Sequence, residues 1–295
     1  MSRDVWQSRL LAPFMAKVTA GGIRFHVQRL PAHRSSASAD HLADSPTVVF
    51  VHGLGFDNMS SFYFTLANPA ARAGANVILY DLRGHGDTER PTTDYSVDAL
   101  VRDLTALLDA LGVTEPVHLV GNSFGGTIAL AMAITHPARV ASLLLIEALT
   151  EAGIVAEDWE ETMARAFAQG VQLRKSLANW GTIYGRKLRR IQAAFEALTN
   201  DTTLVADLQA LPGFRSADLR SVTCPVVTIY GGDSEIIHHA HRLRELLPNC
   251  DLTIVPNCGH FLILEAPSAV RELLLRWLSL NAQPYVVLAD HALVR

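Results

Sequence analysis

The chain has 295 residues, of which 49% are hydrophobic and 18% are charged, a composition typical of a globular protein with a sizeable core. Its formal net charge of -4 offers no basic field for nucleic acid or anionic lipid, so neither is an expected partner. No apolar run is long enough to cross a bilayer and no signal peptide is recognisable, which favours a cytoplasmic protein. The three cysteines lack C-x-x-C spacing and predict neither a disulfide framework nor a zinc site.

Short apolar segments alternate along the chain with longer segments of helical periodicity. An opening hairpin is predicted over residues 16–29, and helices are predicted near 98–113, 124–140 and 266–281. Six segments predict strands buried on both faces: TVVFV (47–51), NVILY (76–80), VHLV (117–120), VASLLLI (140–146), PVVTIY (225–230) and DLTIV (251–255). The alternation predicts an α/β fold with a mostly parallel sheet and helices on both faces.

One long segment interrupts this alternation. Residues 151–212 contain no strand-like run and show only helical patterns, so we expect a core formed by 1–150 and 213–295 with a helical insertion between them. Part of the insertion carries six basic residues and no acidic ones: Arg174, Lys175, Arg186, Lys187, Arg189 and Arg190. A solvated helix face is the plain interpretation. The alternative is a docking site for an anionic group, such as an acyl chain presented on an acidic acyl carrier protein.

A Gly-x-Ser-x-Gly motif occupies residues 121–125, directly after a predicted strand and before a predicted helix. In this strand-turn-helix setting the motif is typical of a nucleophile elbow, which holds Ser123 at the carboxyl edge of the sheet. The glycines permit the sharp turn and the close approach of strand and helix. A serine that merely caps a helix is the alternative, and the setting favours a nucleophile.

A serine hydroxyl needs a base to take its proton, and His260 is the candidate. His260 follows the last predicted strand and a glycine, and it precedes the C-terminal helix, so it is expected at the same sheet edge. An acid must orient the histidine. Glu235 is favoured because it follows the strand at 225–230 and leaves room for the chain to turn back; Asp233 is second and Glu147 third.

An acyl-transfer site also needs donors for the oxyanion that forms during attack. The segment VVFVHGLGFDN places His52, Gly53 and Leu54 directly after a strand. We expect the backbone N–H groups of Leu54 and Phe124 to be these donors, whereas His52 is interpreted as structural.

Four motifs in this order resemble those of the α/β-hydrolases, over about residues 17–280. They are HGLGFD (52–57), YDLRGHGDTERP (80–91), the GNSFG turn (121–125) and VPNCGHFLILEAPSAV (255–270). The order Ser123, acid, His260 is also that of this family. The family commonly carries aspartate where Glu235 is assigned.

The resemblance implies an α/β-hydrolase fold in which residues 151–212 form a helical cap over the active site. It also implies hydrolysis of an ester or thioester through an acyl-enzyme on Ser123, with no metal or organic cofactor. Epoxide hydrolases and haloalkane dehalogenases of this fold use aspartate at the nucleophile position. The serine at position 123 therefore argues against their chemistry.

Two alternatives stay open within the family resemblance. The elbow GNSFGG is similar to that of the meta-cleavage product hydrolases, which break carbon-carbon bonds and use the residue before the serine, here Asn122, to contact substrate. Those enzymes usually carry an HGSGPG-like loop and a tryptophan after the histidine, where this chain has HGLGFD and Phe261. Gly53 and Phe261 are the further expected substrate contacts. The second alternative is a receptor for small molecules on the same fold, without catalysis.

Overall fold

The computed structural model describes residues 14–33, 45–150 and 183–282, with side chains described for all of these except Phe14 and residues 183–188. One eight-stranded sheet has the strand order β1-β2-β4-β3-β5-β6-β7-β8. Its strands are β1 Phe14–Ala20, β2 Ile23–Leu30, β3 Thr47–Val51, β4 Asn76–Tyr80, β5 Val117–Asn122, β6 Val140–Ile146, β7 Val226–Gly231 and β8 Cys250–Val255. The pairs β1–β2 and β2–β4 are antiparallel and the other five are parallel, which confirms the predicted hairpin and the mostly parallel sheet.

Helices connect the strands and cover both faces of the sheet. The helices are α1 Ser60–Phe62, α2 Asn68–Arg72, α3 Val97–Ala110, α4 Phe124–Thr135, α5 Ile183–Asn200, α6 Leu204–Gln209, α7 Ser216–Arg220, α8 Ile237–Leu246, α9 Leu262–Glu265 and α10 Pro267–Asn281. A π-helical turn, Tyr63–Ala67, joins α1 to α2, and a 3₁₀ turn, Pro137–Arg139, follows α4. The predicted helix over 124–140 therefore ends at Thr135, because Pro137 cannot continue it.

The inner parallel strands β3 to β7 are buried on both faces because their side chains alternate between two hydrophobic cores. The prediction of burial on both faces was wrong for β8, which lies at the edge of the sheet, where only Cys250 is buried and Ile254 is 43% exposed. In β3, Val49 and Val51 belong to one core, whereas Val48 and Phe50 belong to the other. Helices α3 and α4 cover the first core, and α2 and α10 cover the second, where Trp277 is 1% exposed. This period of two explains why the strand sequences are apolar throughout instead of alternating with polar residues.

Between β6 and β7 the described chain is helical. It comprises α5, α6 and α7, while residues 151–182 lie outside the described residues, so the division into core and cap stays a prediction. The ring of Phe195 in α5 packs 4.2 Å from that of Phe56, measured between centroids. The predicted basic cluster falls mostly outside the described side chains; of its members, Arg189 and Arg190 are described and exposed.

The carboxyl ends of the parallel strands β3, β5, β6, β7 and β8 lie at one edge of the sheet, as parallel pairing requires. The segments that follow these strands carry His52, Ser123, Glu147, Ser234 and His260. Within the three described ranges, no helix combines the length and apolar character that crossing a membrane requires. Nor does any group of three or more His, Cys, Asp or Glu residues there form a metal site.

Candidate active site

The turn between β5 and α4 holds Ser123 in a strained conformation, with φ of 51°. Glycines surround the turn because nothing larger fits. A Cβ on Gly121 would lie 2.6 Å from the carbonyl oxygen of Gly125, and one on Gly125 would collide with the carbonyl oxygen of Val51. The backbone thus lifts the Ser123 hydroxyl to the edge of the sheet, where the loop after β8 passes.

His260 lies on that loop and meets the serine. Its Nε2 is 3.0 Å from Ser123 Oγ, a hydrogen-bonding distance between groups 137 residues apart in sequence. The carboxylate of Glu265 fixes the loop on both sides of the histidine, since it accepts from the backbone N–H of Gly259 at 2.8 Å and of Phe261 at 3.2 Å. The sequence did not single out Glu265, although it lies five residues after the histidine.

The acid that contacts His260 is Glu147. Its Oε2 lies 3.1 Å from His260 Nδ1, and its side chain is fully buried, whereas that of His260 is 25% exposed. This corrects the order of preference reached from the sequence, in which Glu235 was first and Asp233 second. Both of those residues are exposed, because the chain after β7 turns outward before α8 begins.

Glu147 reaches the histidine because it directly follows β6, the strand beside the nucleophile strand β5. Its φ is 52°, again a conformation that a residue with a side chain rarely adopts. Its N–H donates to the carbonyl oxygen of Ile229 at 3.0 Å, and the hydroxyl of Tyr230 donates to that of Ala148 at 2.5 Å. Burial, and then the charge of Glu147, raise the pKa of Tyr230 well above its usual value, so this hydroxyl stays protonated.

The buried carboxylate of Glu147 has hydrogen-bond donors on both oxygens. The backbone N–H of Gly231 donates to Oε1 at 2.5 Å, and the hydroxyl of Ser234 donates to Oε2 at 2.6 Å. Because an ionised carboxylate only accepts hydrogen bonds, His260 must donate through Nδ1–H. Its Nε2 is then left as the acceptor facing the serine, which is the tautomer a general base requires.

The loop after β3 faces the serine from the other side. Among the described residues, three of its backbone N–H groups donate within the chain: Gly53 to Asp57 Oδ2 at 2.8 Å, Gly55 to His85 Nε2 at 2.9 Å and Phe56 to the Leu54 carbonyl at 3.0 Å. The N–H of Leu54 has no acceptor among the described residues. The N–H of Phe124 is the first of α4 and has no intrahelical acceptor. The assignment of Leu54 and Phe124 as the oxyanion donors stays a prediction that this arrangement permits.

Two buried histidines, His52 and His85, hold this loop through hydrogen bonds. His52 accepts from the N–H of Leu82 at 2.9 Å and donates to the Gly53 carbonyl at 2.7 Å, as its structural interpretation implied. His85 accepts from Gly55 and pairs through Nδ1 with the Arg83 carbonyl at 2.9 Å. Burial, and then the proximity of His52, lower the pKa of His85 to about 3, so the acceptor at Nε2 persists at neutral pH. The sequence did not identify His85 as a support.

The three expected substrate contacts lie beside the serine. Asn122 precedes it, and its amide nitrogen donates to Asp57 Oδ2 at 3.3 Å. A Cβ on Gly53 would lie 3.5 Å from Ser123 Cβ, so this residue borders the nucleophile closely. The ring of Phe261 lies 5.8 Å from the His260 ring between centroids. Asp57, which the sequence did not single out, connects Asn122 to Gly53.

A serine, a histidine and a buried acid at the carboxyl edge of this sheet define a hydrolase of α/β architecture. The sequence model described as alpha/beta hydrolase fold matches residues 46–267, and the chain belongs to this family.

Relatives within the family act on different substrates. The chain is 27% identical to the sn-1-specific diacylglycerol lipase ABHD11 of Mus musculus, with 88% of this chain and 89% of the relative covered. It is 32% identical to a 2-hydroxymuconate semialdehyde hydrolase of Pseudomonas putida, over 64% of this chain and 72% of the relative. Among solved structures, Est816, described as an N-acyl homoserine lactone degrading enzyme, matches with 25% identity and a TM-score of 0.66, over 88% and 98% of the two chains.

Proposed function

We propose that the protein is a serine hydrolase that cleaves a carboxylic ester or thioester through an acyl-enzyme intermediate. One observation carries the proposal: the continuous contact from Ser123 Oγ to His260 Nε2 at 3.0 Å and from His260 Nδ1 to Glu147 at 3.1 Å. A hydroxyl, a base and a buried acid in this sequence are the parts that acyl transfer to serine requires.

In the proposed reaction, Ser123 Oγ attacks the acyl carbon while His260 Nε2 takes the hydroxyl proton. The N–H groups of Leu54 and Phe124 hold the oxygen that becomes negative, and Glu147 stabilises the imidazolium. The imidazolium then gives its proton to the leaving alcohol or thiol as the carbon-oxygen or carbon-sulfur bond breaks. Water, deprotonated by His260, then attacks the acyl carbon, the bond from that carbon to Ser123 Oγ breaks, and the imidazolium returns its proton to Oγ, which releases the acid and free Ser123.

The ester assignment draws support from the substrates named for two relatives. A diacylglycerol and a homoserine lactone, named for ABHD11 and Est816, both contain carboxylic ester bonds. An acyl thioester carried on an acyl carrier protein would suit the same chemistry, and the basic residues at 174–190 are the proposed docking site for such a carrier.

Hydrolysis of a carbon-carbon bond is the second candidate, favoured by Asn122 before the nucleophile and by the muconate semialdehyde hydrolase relative. We rank it second because the amide nitrogen of Asn122 is directed to the Asp57 carboxylate. A substrate carboxylate bound through Asn122 would lie beside a like charge, which disfavours it.

The test is a fluorophosphonate probe followed by mapping of the modified residue, together with turnover of p-nitrophenyl esters, acyl thioesters and a coloured dienoate. We expect labelling at position 123 and ester or thioester turnover that the Ser123→Ala variant lacks. Labelling elsewhere, or none in a folded protein, contradicts the proposal. Bleaching of the dienoate with little ester turnover favours the second candidate, and binding without product release favours a receptor.

A further inference from the structure

The loop after β7 carries a serine, Ser234, whose hydroxyl donates to the same oxygen of Glu147 that accepts from His260. Ser234 is 4% exposed, and its Oγ lies 2.6 Å from Glu147 Oε2, the atom that also accepts from His260 Nδ1. We propose that Ser234 is a positioning residue that sets the place and charge of this oxygen, an inference that rests on the proposed function above. Ser234 does not touch the reacting atoms and acts only through Glu147 and His260.

The direction of the Ser234 hydroxyl is fixed by the backbone around it. The N–H of Ile236 lies 3.4 Å from Ser234 Oγ and donates to it, which directs the hydroxyl hydrogen toward the carboxylate. The N–H of Ser234 donates to the Gly231 carbonyl at 3.2 Å, and the N–H of Ile237 donates to the Ser234 carbonyl at 3.1 Å. The loop therefore presents a prealigned donor instead of a freely rotating hydroxyl.

This donor has two consequences for the triad. Together with the Gly231 N–H on Oε1, it prevents the carboxylate from rotating away from the histidine. It also takes up part of the negative charge on Oε2, because a hydrogen bond to an ionised group stabilises that form. Loss of the hydroxyl should leave more charge on Oε2, which stabilises the imidazolium more strongly and makes His260 a base that is protonated at higher pH.

The contact also implies that the acid can be supplied from a second position. An aspartate at 234 would extend beyond the present Oγ toward the site of Glu147 Oε2, 2.6 Å away. If Glu147 is shortened to alanine, the carboxylate at 234 can occupy the vacated volume next to His260 Nδ1. The two strand ends would then be interchangeable sources of the same charge.

The first experiment measures kcat, KM and the pH profile of kcat/KM on a p-nitrophenyl ester for Ser234→Ala. The matched control is Ser142→Ala, which removes another buried serine hydroxyl that contacts a histidine, His118, at 2.8 Å. For Ser234→Ala we expect kcat to fall about ten-fold with little change in KM, and the acid limb to move up by roughly half a pH unit. Ser142→Ala should change thermal stability alone.

Other ionisable groups near His260 remain in both variants. The described ones are Glu147, Glu265 behind the backbone of the loop, and Asp233 and Cys258, which are joined by a backbone hydrogen bond of 2.9 Å. A shift seen in Ser234→Ala and absent from Ser142→Ala therefore reports on the Ser234 hydroxyl. An unmoved acid limb with unchanged kcat, or equal changes in both variants, overturns the proposal.

The second experiment compares Glu147→Ala with Glu147→Ala/Ser234→Asp. We expect the double variant to recover at least about ten-fold of the kcat lost in the single variant, with the circular dichroism spectrum confirming the fold. No recovery in a folded double variant contradicts the placement of Ser234. Absence of ester or thioester turnover in the wild type would instead contradict the proposed function, and full activity in Glu147→Ala would contradict the role of that acid, so these failures are distinguishable from failure of the inference.

Discussion

Two neighbouring strand ends carry the chemistry of this protein, and they are built differently. Asn122 of β5 pairs with Ile146 of β6, and the next residues, Ser123 and Glu147, have almost the same φ, 51° and 52°. The nucleophile turn is made by local backbone constraints, since glycines at 121 and 125 admit no side chain. The acid turn, EALT, contains no glycine and is held by distant groups. A catalytic residue at the end of a strand can thus be predicted from sequence only where the backbone conformation requires particular residues, such as glycine, around it.

The largest expected effect is a difference in kcat between variants of Glu147 and variants of Glu235, the acid that the sequence favoured. We expect Glu147→Gln to lower kcat by about 10³-fold or more, because an amide cannot hold the required tautomer or stabilise the imidazolium. Glu235→Gln should change kcat less than about two-fold, since Glu235 is exposed. Steady-state hydrolysis of an ester by both variants gives the comparison. Equal losses in the two variants would show that the acid turn does not supply the triad.

The next largest effect should come from acidification, which should destabilise the fold through two buried histidines, one beside the loop after β3 and one within β5. Burial and the neighbouring His52 lower the pKa of His85 to about 3, and burial lowers the pKa of His118 to about 4. Both folded-state pKa values lie below the unfolded value near 6.5, so the unfolded chain binds more protons as the pH falls. The stability that the two neutral histidines contribute is therefore fully present above pH 6.5 and is lost below it. Each histidine then costs about 1 kcal/mol of unfolding free energy per pH unit as the pH falls toward 4.

Urea denaturation at pH 7, 5.5 and 4 measures this dependence. His118→Gln serves as the control, because it removes one of the two titrating groups and should reduce the slope of stability against pH by about one proton below pH 6.5. A wild-type stability that does not change between pH 6.5 and 4 would contradict the assignment of both histidines as buried neutral groups.

A smaller effect tests the contact between the two turns. A Cβ on Gly126 would lie 2.5 Å from Ala148 Cβ, so the glycine of the nucleophile helix makes room for the residue after Glu147. We expect Gly126→Ala to lower the unfolding free energy by about 1–3 kcal/mol and to reduce kcat by displacing the acid. Adding Ala148→Gly should recover about 1 kcal/mol, as judged by a double-mutant cycle in urea. Additive losses would show that the turns do not contact each other in solution.

The extent to which the site could be predicted from sequence follows the same contrast between local and distant constraints. The six strands, the hairpin, the nucleophile turn and the position of His260 could be predicted, because each has a local pattern of apolar residues or glycine. The exposure of β8 could not, since the order of the strands across the sheet is not written in any one segment. The acid was ranked wrongly, since Gly231 and Ser234, the donors to the buried carboxylate of Glu147, lie 84 and 87 residues away from it in sequence. The local signal for Glu147 was its position as a single carboxylate directly after the apolar run VASLLLI. Helix α8, with the sequence IHHAHRLREL, was missed because its apolar residues are few.

The smallest expected effect is a difference in unfolding free energy that tests whether the backbone of the nucleophile turn is strained. Replacing alanine by glycine usually destabilises a fold by about 0.5–1 kcal/mol, because glycine loses more backbone entropy. At Ser123, with φ of 51° and ψ of -120°, the sign should reverse, since only glycine adopts this conformation without strain. Both variants lack the nucleophile, so any difference between them reports on the backbone alone.

We therefore expect Ser123→Gly to unfold at a higher urea concentration than Ser123→Ala, by about 1 kcal/mol. The control is Ala194→Gly in α5, an exposed helical position where the ordinary sign should be measured. If Ser123→Gly is the less stable of the two serine variants, the turn stores no backbone strain. Its conformation would then depend on contacts with the rest of the chain, as that of the acid turn does, and the contrast between the two strand ends would disappear.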